Sequence, residues 1–225
     1  KRLKMLLMPV FVKKDRKKTL LNTFQRLEQV AMNGFAAASD LIGKPILCSG
    51  ANLAFKKTLF EDLDGYEDNK HIASGDDVFF LHKVKKKYPN NILFTNEPEV
   101  HCETKESDSL KSFLEQQKRW SKKSGYYKDL HTILISINLF LYHFILILNF
   151  CLWFIFPTLS VIILSSFIIK MFAEVIFLTL SSKFFKINPV FSFFPVIQIL
   201  HIFYVGFMPV LSFSGNIKWK ERTIR

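Results

Sequence analysis

Apolar and polar positions follow three rhythms along this chain, and the points where the rhythm changes divide it. Residues 3–12 are an apolar run broken at Pro9, the pattern of a buried strand interrupted where proline withdraws its N–H. Leu20, Phe24, Leu27 and Ala31 recur at helical spacing and predict a helix that stops near Asn33-Gly34. Pro45-Ile46-Leu47-Cys48 predicts a short buried strand leading into Ser49-Gly50-Ala51-Asn52. Residues 57–63 predict a helix closed at Asp64-Gly65, where glycine takes the left-handed cap conformation. Residues 77–88 predict another, with Val78, Leu81 and Val84 on one face and Pro89 ending it. Ile92-Leu93-Phe94 reads as a strand. Strands and helices in this order suggest a layered α/β region over residues 1–129.

Residues 108–130 read as one interfacial helix. Asp108 or Ser109 can cap its start, because a short oxygen-bearing side chain accepts a free N–H of the first turn. Leu110, Phe113, Leu114 and Gln117 then follow the helical period. On that geometry Gln116 and Trp120 lie one turn apart, with Arg119 beside them. Taken alone, this is a basic juxtamembrane helix whose tryptophan sits at the lipid interface.

Residues 130–213 are mostly apolar and divide into segments of about 130–156, 158–180 and 190–213, each long enough to cross a hydrocarbon core, which takes roughly 20 helical residues. Lys122, Lys123 and Lys128 before the first segment, and Lys183 and Lys186 after the second, place both of those ends in the cytoplasm. A full third crossing would put the basic tail, 214–225, outside. The third segment carries Pro195, Gln198, His201, Gly206 and Pro209, so a re-entrant or interfacial course stays open. Lys170 and Glu174 share a helix face and read as a self-neutralising pair. His143 and His201 have no carboxylate or cysteine at ligand spacing and read as packing or interface residues.

Charge narrows the partners. The net charge of +12 is crowded into residues 1–18, 83–87, 118–128 and the tail. Such a surface suits nucleic acid or the anionic cytoplasmic leaflet, and the apolar half of the chain favours the leaflet over nucleic acid. Cys48, Cys102 and Cys151 stand far apart, offering neither a zinc motif nor a disulfide framework. The opening Lys1-Arg2-Leu3 lacks an initiator methionine and a signal-peptide pattern, which leads us to expect a segment cut within a domain whose N-terminal half lies upstream.

The stretch that can carry chemistry is Ala73-Ser74-Gly75-Asp76-Asp77, two carboxylates following a glycine and opening a helix. Helix N-termini stabilise negative charge, and an ionised Asp at such a junction can act as a general base toward a hydroxyl. Simple capping by Asp76 is the plainer reading. Some forty residues on comes Gln116-Gln117-Lys118-Arg119-Trp120, a Q-x-x-R-W, and then the apolar segments. This combination resembles the membrane-bound family-2 glycosyltransferases, the group that includes cellulose, chitin and hyaluronan synthases. Cys48-Ser49-Gly50-Ala51-Asn52, Phe60 through Gly65-Tyr66, and Lys218-Trp219-Lys220-Glu221-Arg222 look like further family features.

The resemblance implies the C-terminal part of a GT-A-like, Rossmann-like α/β catalytic domain, followed by an α-helical membrane domain. It implies an inverting transfer from a nucleotide sugar, a UDP-sugar first among candidates, to a lipid or glycan acceptor at the cytoplasmic face of a multi-pass membrane protein. Asp77 would be the base and Asp76, in place of the family's Glu, its support. Arg119 would pair with the departing diphosphate, Gln116 would bond near it, and Trp120 would stack beneath the acceptor sugar. Ser49 and Gly50 would lie near the acceptor. A divalent cation, Mg²⁺ or Mn²⁺, is expected on a D-x-D in the upstream half, with no metal ligand in this segment. Asp62-Leu63-Asp64 spells D-x-D but falls downstream of the small-residue loop and reads as a surface helix end. A non-catalytic membrane scaffold or partner subunit with a basic cytoplasmic domain is the alternative.

Overall fold

The computed structural model describes residues 3–13, 19–69, 72, 74–188, 191–213, 217–219 and 222–224. The first apolar run forms two short strands, β1 (Met5–Leu7) and β2 (Val10–Val12), separated at Pro9. β1 is the centre of a three-stranded sheet, antiparallel to β3 (Leu53–Phe55) and parallel to β4 (Ile92–Phe94). β2 pairs in parallel with β5 (Cys102–Thr104). Met5 and Leu7, two apart and therefore on one face, are wholly buried against Leu59, Phe80, Leu81 and Val84. Leu59 comes from α2 (Lys57–Asp62) and the last three from α3 (Asp76–Lys87), so α3 is fixed beneath the sheet by its apolar face. Its N-terminus is left at the sheet's edge.

Three sequence expectations are corrected here. Helix α1 (Leu20–Leu41) does not stop at Asn33-Gly34 but runs through both. Asn33 turns its side chain to the backbone of Val10, donating from Nδ2 to the carbonyl (2.7 Å) and accepting from the N–H (3.4 Å). Gly34 is a close-packing residue: a Cβ there would collide with Ser181 Oγ and lie 2.9 Å from Phe177 Cζ. Second, Pro45–Cys48 is irregular chain and not a strand. Side chains occupy the groups a ladder would use, because the Ile46 N–H donates to Ser39 Oγ (3.3 Å) and its carbonyl faces His82 Nε2 (3.3 Å). Third, the stretch 108–130 is not one helix. α4 (Leu110–Ser124) begins at a Ser109–Ser112 capping box and ends at Gly125, and a separate helix starts after Asp129.

That next helix, α5 (Leu130–Ile155), turns at Pro157 into α6 (Ser160–Phe184), which is followed by α7 (Phe194–Phe213). All three are long and apolar enough to cross a membrane. The molecule is therefore mostly helical, with small mixed sheets and an apolar helical portion consistent with a membrane protein. The C-terminal end of α6 is tied to the polar region by Asn96 Nδ2, which donates to the Phe184 carbonyl (2.7 Å), and by Phe185 against Phe11 and Phe94.

α7 packs against helices on two sides. On one side Tyr204 donates a hydrogen bond to Glu28 of α1 and stacks on Phe113 of α4. On the other, Ile202 packs with Leu146 and Ile147 of α5. After α7 the chain forms a hairpin of β6 (Ile217–Trp219) and β7 (Arg222–Ile224), and β6 lies against α4. Lys220 and Glu221 of the basic tail, Ala73 beside the acidic pair, and the N-terminal Lys1, Arg2 and Lys14 to Lys18 fall outside the described residues.

Candidate active site

Four separate parts of the chain meet around one cavity of about 1320 Å³. The sheet-buried face of α3 aims the helix start at this cavity, and Gly75 makes the entry turn. Its φ of 99° is a left-handed conformation that disfavours a Cβ, and such a Cβ would meet Lys123 Cδ at 2.7 Å. Glycine thus lets α4 close down over the acidic pair. Gly75 is the N-cap and Asp76 already stands in the first turn, so capping by Asp76 is not what the structure contains.

Asp77 is held by two backbone donors. The Gly50 N–H donates to Oδ2 (2.7 Å) and the Val78 N–H to Oδ1 (2.8 Å). A carboxylate has about four lone-pair sites, so each oxygen keeps one for an incoming proton. Gly50 is presented by a turn in which Asn52 N–H donates to the Ser49 carbonyl (3.0 Å). The Asn52 side chain anchors that turn by donating to the carbonyls of Pro9 (2.8 Å) and Val100 (2.7 Å). Asp76 is exposed beside Asp77. Although the residue is exposed overall, partial desolvation of its carboxyl, then repulsion from Asp77, raises it above the ordinary carboxylate range, with Lys123 opposing.

The opposite wall is α4. Gln116, Arg119 and Trp120 are half-buried and line the same cavity as Ser49, Gly50, Asp76 and Asp77. Phe113 and Gln117, on the same stripe of α4 as Gln116 and Trp120 and also lining the cavity, are buried against α1 and α7, which orients the helix. All seven residues singled out in the sequence are therefore neighbours of one space.

Sequence reasoning missed Lys123, Tyr66, Tyr127 and Glu28, which also line the cavity. Lys123 was legible, since it follows Arg119 by four residues on a helix. Tyr127 was not: a turn after α4 brings its ring against Phe79 and His82. Burial, followed by the charge of Asp77, pushes its hydroxyl up. Cys48 behaves likewise, its thiol raised by burial and then by Asp77. Asp62 and Asp64 do not line the cavity; both are exposed at the end of α2.

His143, Glu174, Gln198 and His201, which line the same cavity, form a second polar group. Lys170 Nζ lies 2.5 Å from Glu174 Oε1 and also bonds Gln198. His143 and His201, read in the sequence as isolated, instead converge on Glu174. They come from different helices, so no linear spacing reveals them.

Comparison with family models, with curated proteins and with solved structures finds no match.

Proposed function

We infer that this chain is part of an inverting glycosyltransferase that moves a sugar from a nucleotide-sugar donor to an acceptor hydroxyl at the cytoplasmic membrane face. The observation that carries this reading is the Asp77 carboxylate, fixed by Gly50, facing the Gln116–Arg119–Trp120 wall across one cavity. A carboxylate locked in place by two N–H groups is oriented without further ordering cost, which is what a general base requires. Asp77 takes the proton of the acceptor hydroxyl as that oxygen bonds the anomeric carbon. The bond from that carbon to the diphosphate oxygen breaks on the opposite side, so configuration inverts. Arg119 and Lys123 meet the developing charge on the diphosphate, Arg119 through its planar donor fork. Gln116 supplies an amide to the same region, and Trp120 offers a flat apolar face for a sugar ring.

The size of the cavity accords with two reactants, since single ligand pockets run about 300–1,000 Å³. Neutralising a diphosphate is ordinarily helped by Mg²⁺ or Mn²⁺. The resemblance puts the ligands of that ion upstream. Basic residues before α5 and at the end of α6 favour the cytoplasmic side for the site.

The test is transfer from a panel of nucleotide sugars by the full-length protein in membranes or detergent. Loss of a general base costs about 10²–10⁴-fold, so Asp77→Asn should lower kcat at least about 100-fold. Removing a charge-assisted donor costs about 1.5–3 kcal/mol, so Arg119→Ala should lower kcat/KM by roughly 10- to 100-fold. Transfer that is indifferent to Asp77→Asn would move the base elsewhere.

A further inference from the structure

His143, Glu174 and His201 each come from a different apolar helix, α5, α6 and α7, and their donor atoms lie within 4.8 Å of one another. His143 is 2% exposed, and its Nδ1 lies 2.8 Å from the Leu139 carbonyl four residues back. Only a protonated Nδ1 can donate to a carbonyl, so Nε2 carries the lone pair. That Nε2 is buried and makes no hydrogen bond among the described residues, and the same holds for His201 Nδ1. His201 Nδ1 stands 3.7 Å from Glu174 Oε1. Unsatisfied buried polar atoms are costly, and two beside one carboxylate point to a partner shared between them. An imidazole whose other N–H is committed to a backbone carbonyl is the usual arrangement of a metal-bound histidine.

We propose that His143, Glu174 and His201 form a transition-metal site that ties α5, α6 and α7 together. Two imidazoles and one carboxylate select a borderline ion such as Zn²⁺, Co²⁺ or Fe²⁺ over Mg²⁺ or Ca²⁺, which take oxygen ligands. Bonds of about 2.0–2.1 Å on a tetrahedron set ligand atoms about 3.3 Å apart. Closing from 4.8 Å is then a matter of side-chain adjustment. All three residues line the cavity, so the remaining coordination position opens toward it. Lys170 donates to Glu174 and to Gln198 beside it. The Lys170 ammonium opposes a dication, because it already holds the carboxylate and adds like charge. Its removal therefore tightens the site.

The experiment measures cobalt bound by the full-length protein in detergent after dialysis against excess Mg²⁺, by metal content and by the visible absorption of tetrahedral Co²⁺. One equivalent is expected in the wild type. It is expected to fall at least tenfold in His143→Ala and in His201→Ala, each checked for an unchanged helical circular-dichroism spectrum. Lys170→Met should bind more tightly than the wild type. Wild-type protein without bound cobalt overturns the proposal, as does cobalt that stays in both histidine variants or is displaced by Mg²⁺. None of these readouts depends on sugar transfer, so the proposal stands or falls apart from the glycosyltransferase reading.

Discussion

Glu28 sits on α1, accepting the Tyr204 hydroxyl on one oxygen and facing the Gln117 amide (3.5 Å) on the other. Desolvation raises its carboxyl from 4.5 to about 7, outweighing the hydrogen bond from Tyr204. A group whose folded pKa is raised contributes stability that is full below its unfolded pKa and is lost as pH rises through the folded one. The wild type should therefore lose up to about 3 kcal/mol between roughly pH 4.5 and 7. Glu28→Gln keeps the acceptor and removes the titration. Denaturation midpoints from pH 5 to 8 should be flatter for the variant, and parallel profiles would exclude Glu28 as the titrating group. The same residue marks the limit of reading at this scale. Nothing in the local pattern around Glu28 reports that a tyrosine of α7 closes over it, whereas Asp77 was legible because a glycine and a helix start announce it locally.

Asp129 works at the scale of elements. It is the N-cap of α5, accepting from the Thr132 N–H (2.9 Å), and it pairs with Lys85 of α3 at 2.9 Å, both side chains largely buried. Burial works against the charge, but the Lys85 ammonium and the Thr132 N–H and hydroxyl outweigh it and hold the carboxyl at about 2. This depressed group stabilises the fold above its unfolded pKa near 4, and the contribution disappears as pH falls toward 2. Asp129→Ala removes a cap worth about 1 kcal/mol and leaves Lys85 unpaired, for a total of about 3–5 kcal/mol at pH 7. Asp129→Asn should recover about the cap's share. Equilibrium unfolding at pH 7 and near pH 2 measures both; an equal cost at the two pH values would sink the ion-pair account. Element limits were less legible. Expecting α1 to stop at Gly34 was sound on propensity, yet Ser181 and Phe177 of α6 claim the space a side chain would fill. Likewise, Asp129 starts a new helix where periodicity suggested continuation.

The whole molecule bears on the course of α7. The hairpin of α5 and α6 leaves and returns to the polar region, where Phe185 packs on Phe11 and Phe94. α7 then packs on α5 and on α1 and α4, while α1 also packs on α6 at Gly34, and β6 beyond α7 touches α4. A helix of 20 residues is about 30 Å long, so a full crossing would carry β6 to the far face, away from α4. The expected outcome is that the tail and α4 face the same compartment. Single cysteines at Lys122 and Thr223, in a variant lacking the native thiols, should react with an impermeant maleimide from the same side of sealed vesicles. Labelling from opposite sides would establish three crossings.

The sequence by itself determined the local terms: which stretches are apolar enough to leave water, where Gly75 allows a helix to start with two acids, and which residues of α4 share a face. These depend on neighbours within a turn or two and on transfer free energy, both written in linear order. Tertiary structure alone decided the rest. It chose irregular chain over strand at Pro45–Cys48 and carried α1 past glycine. It brought Gly50 to Asp77 across 27 residues. It also gathered His143, Glu174 and His201 from three helices into one polar centre. Packing and desolvation act between residues distant in the chain, so their outcome is set by how whole elements fit and not by any spacing along the sequence.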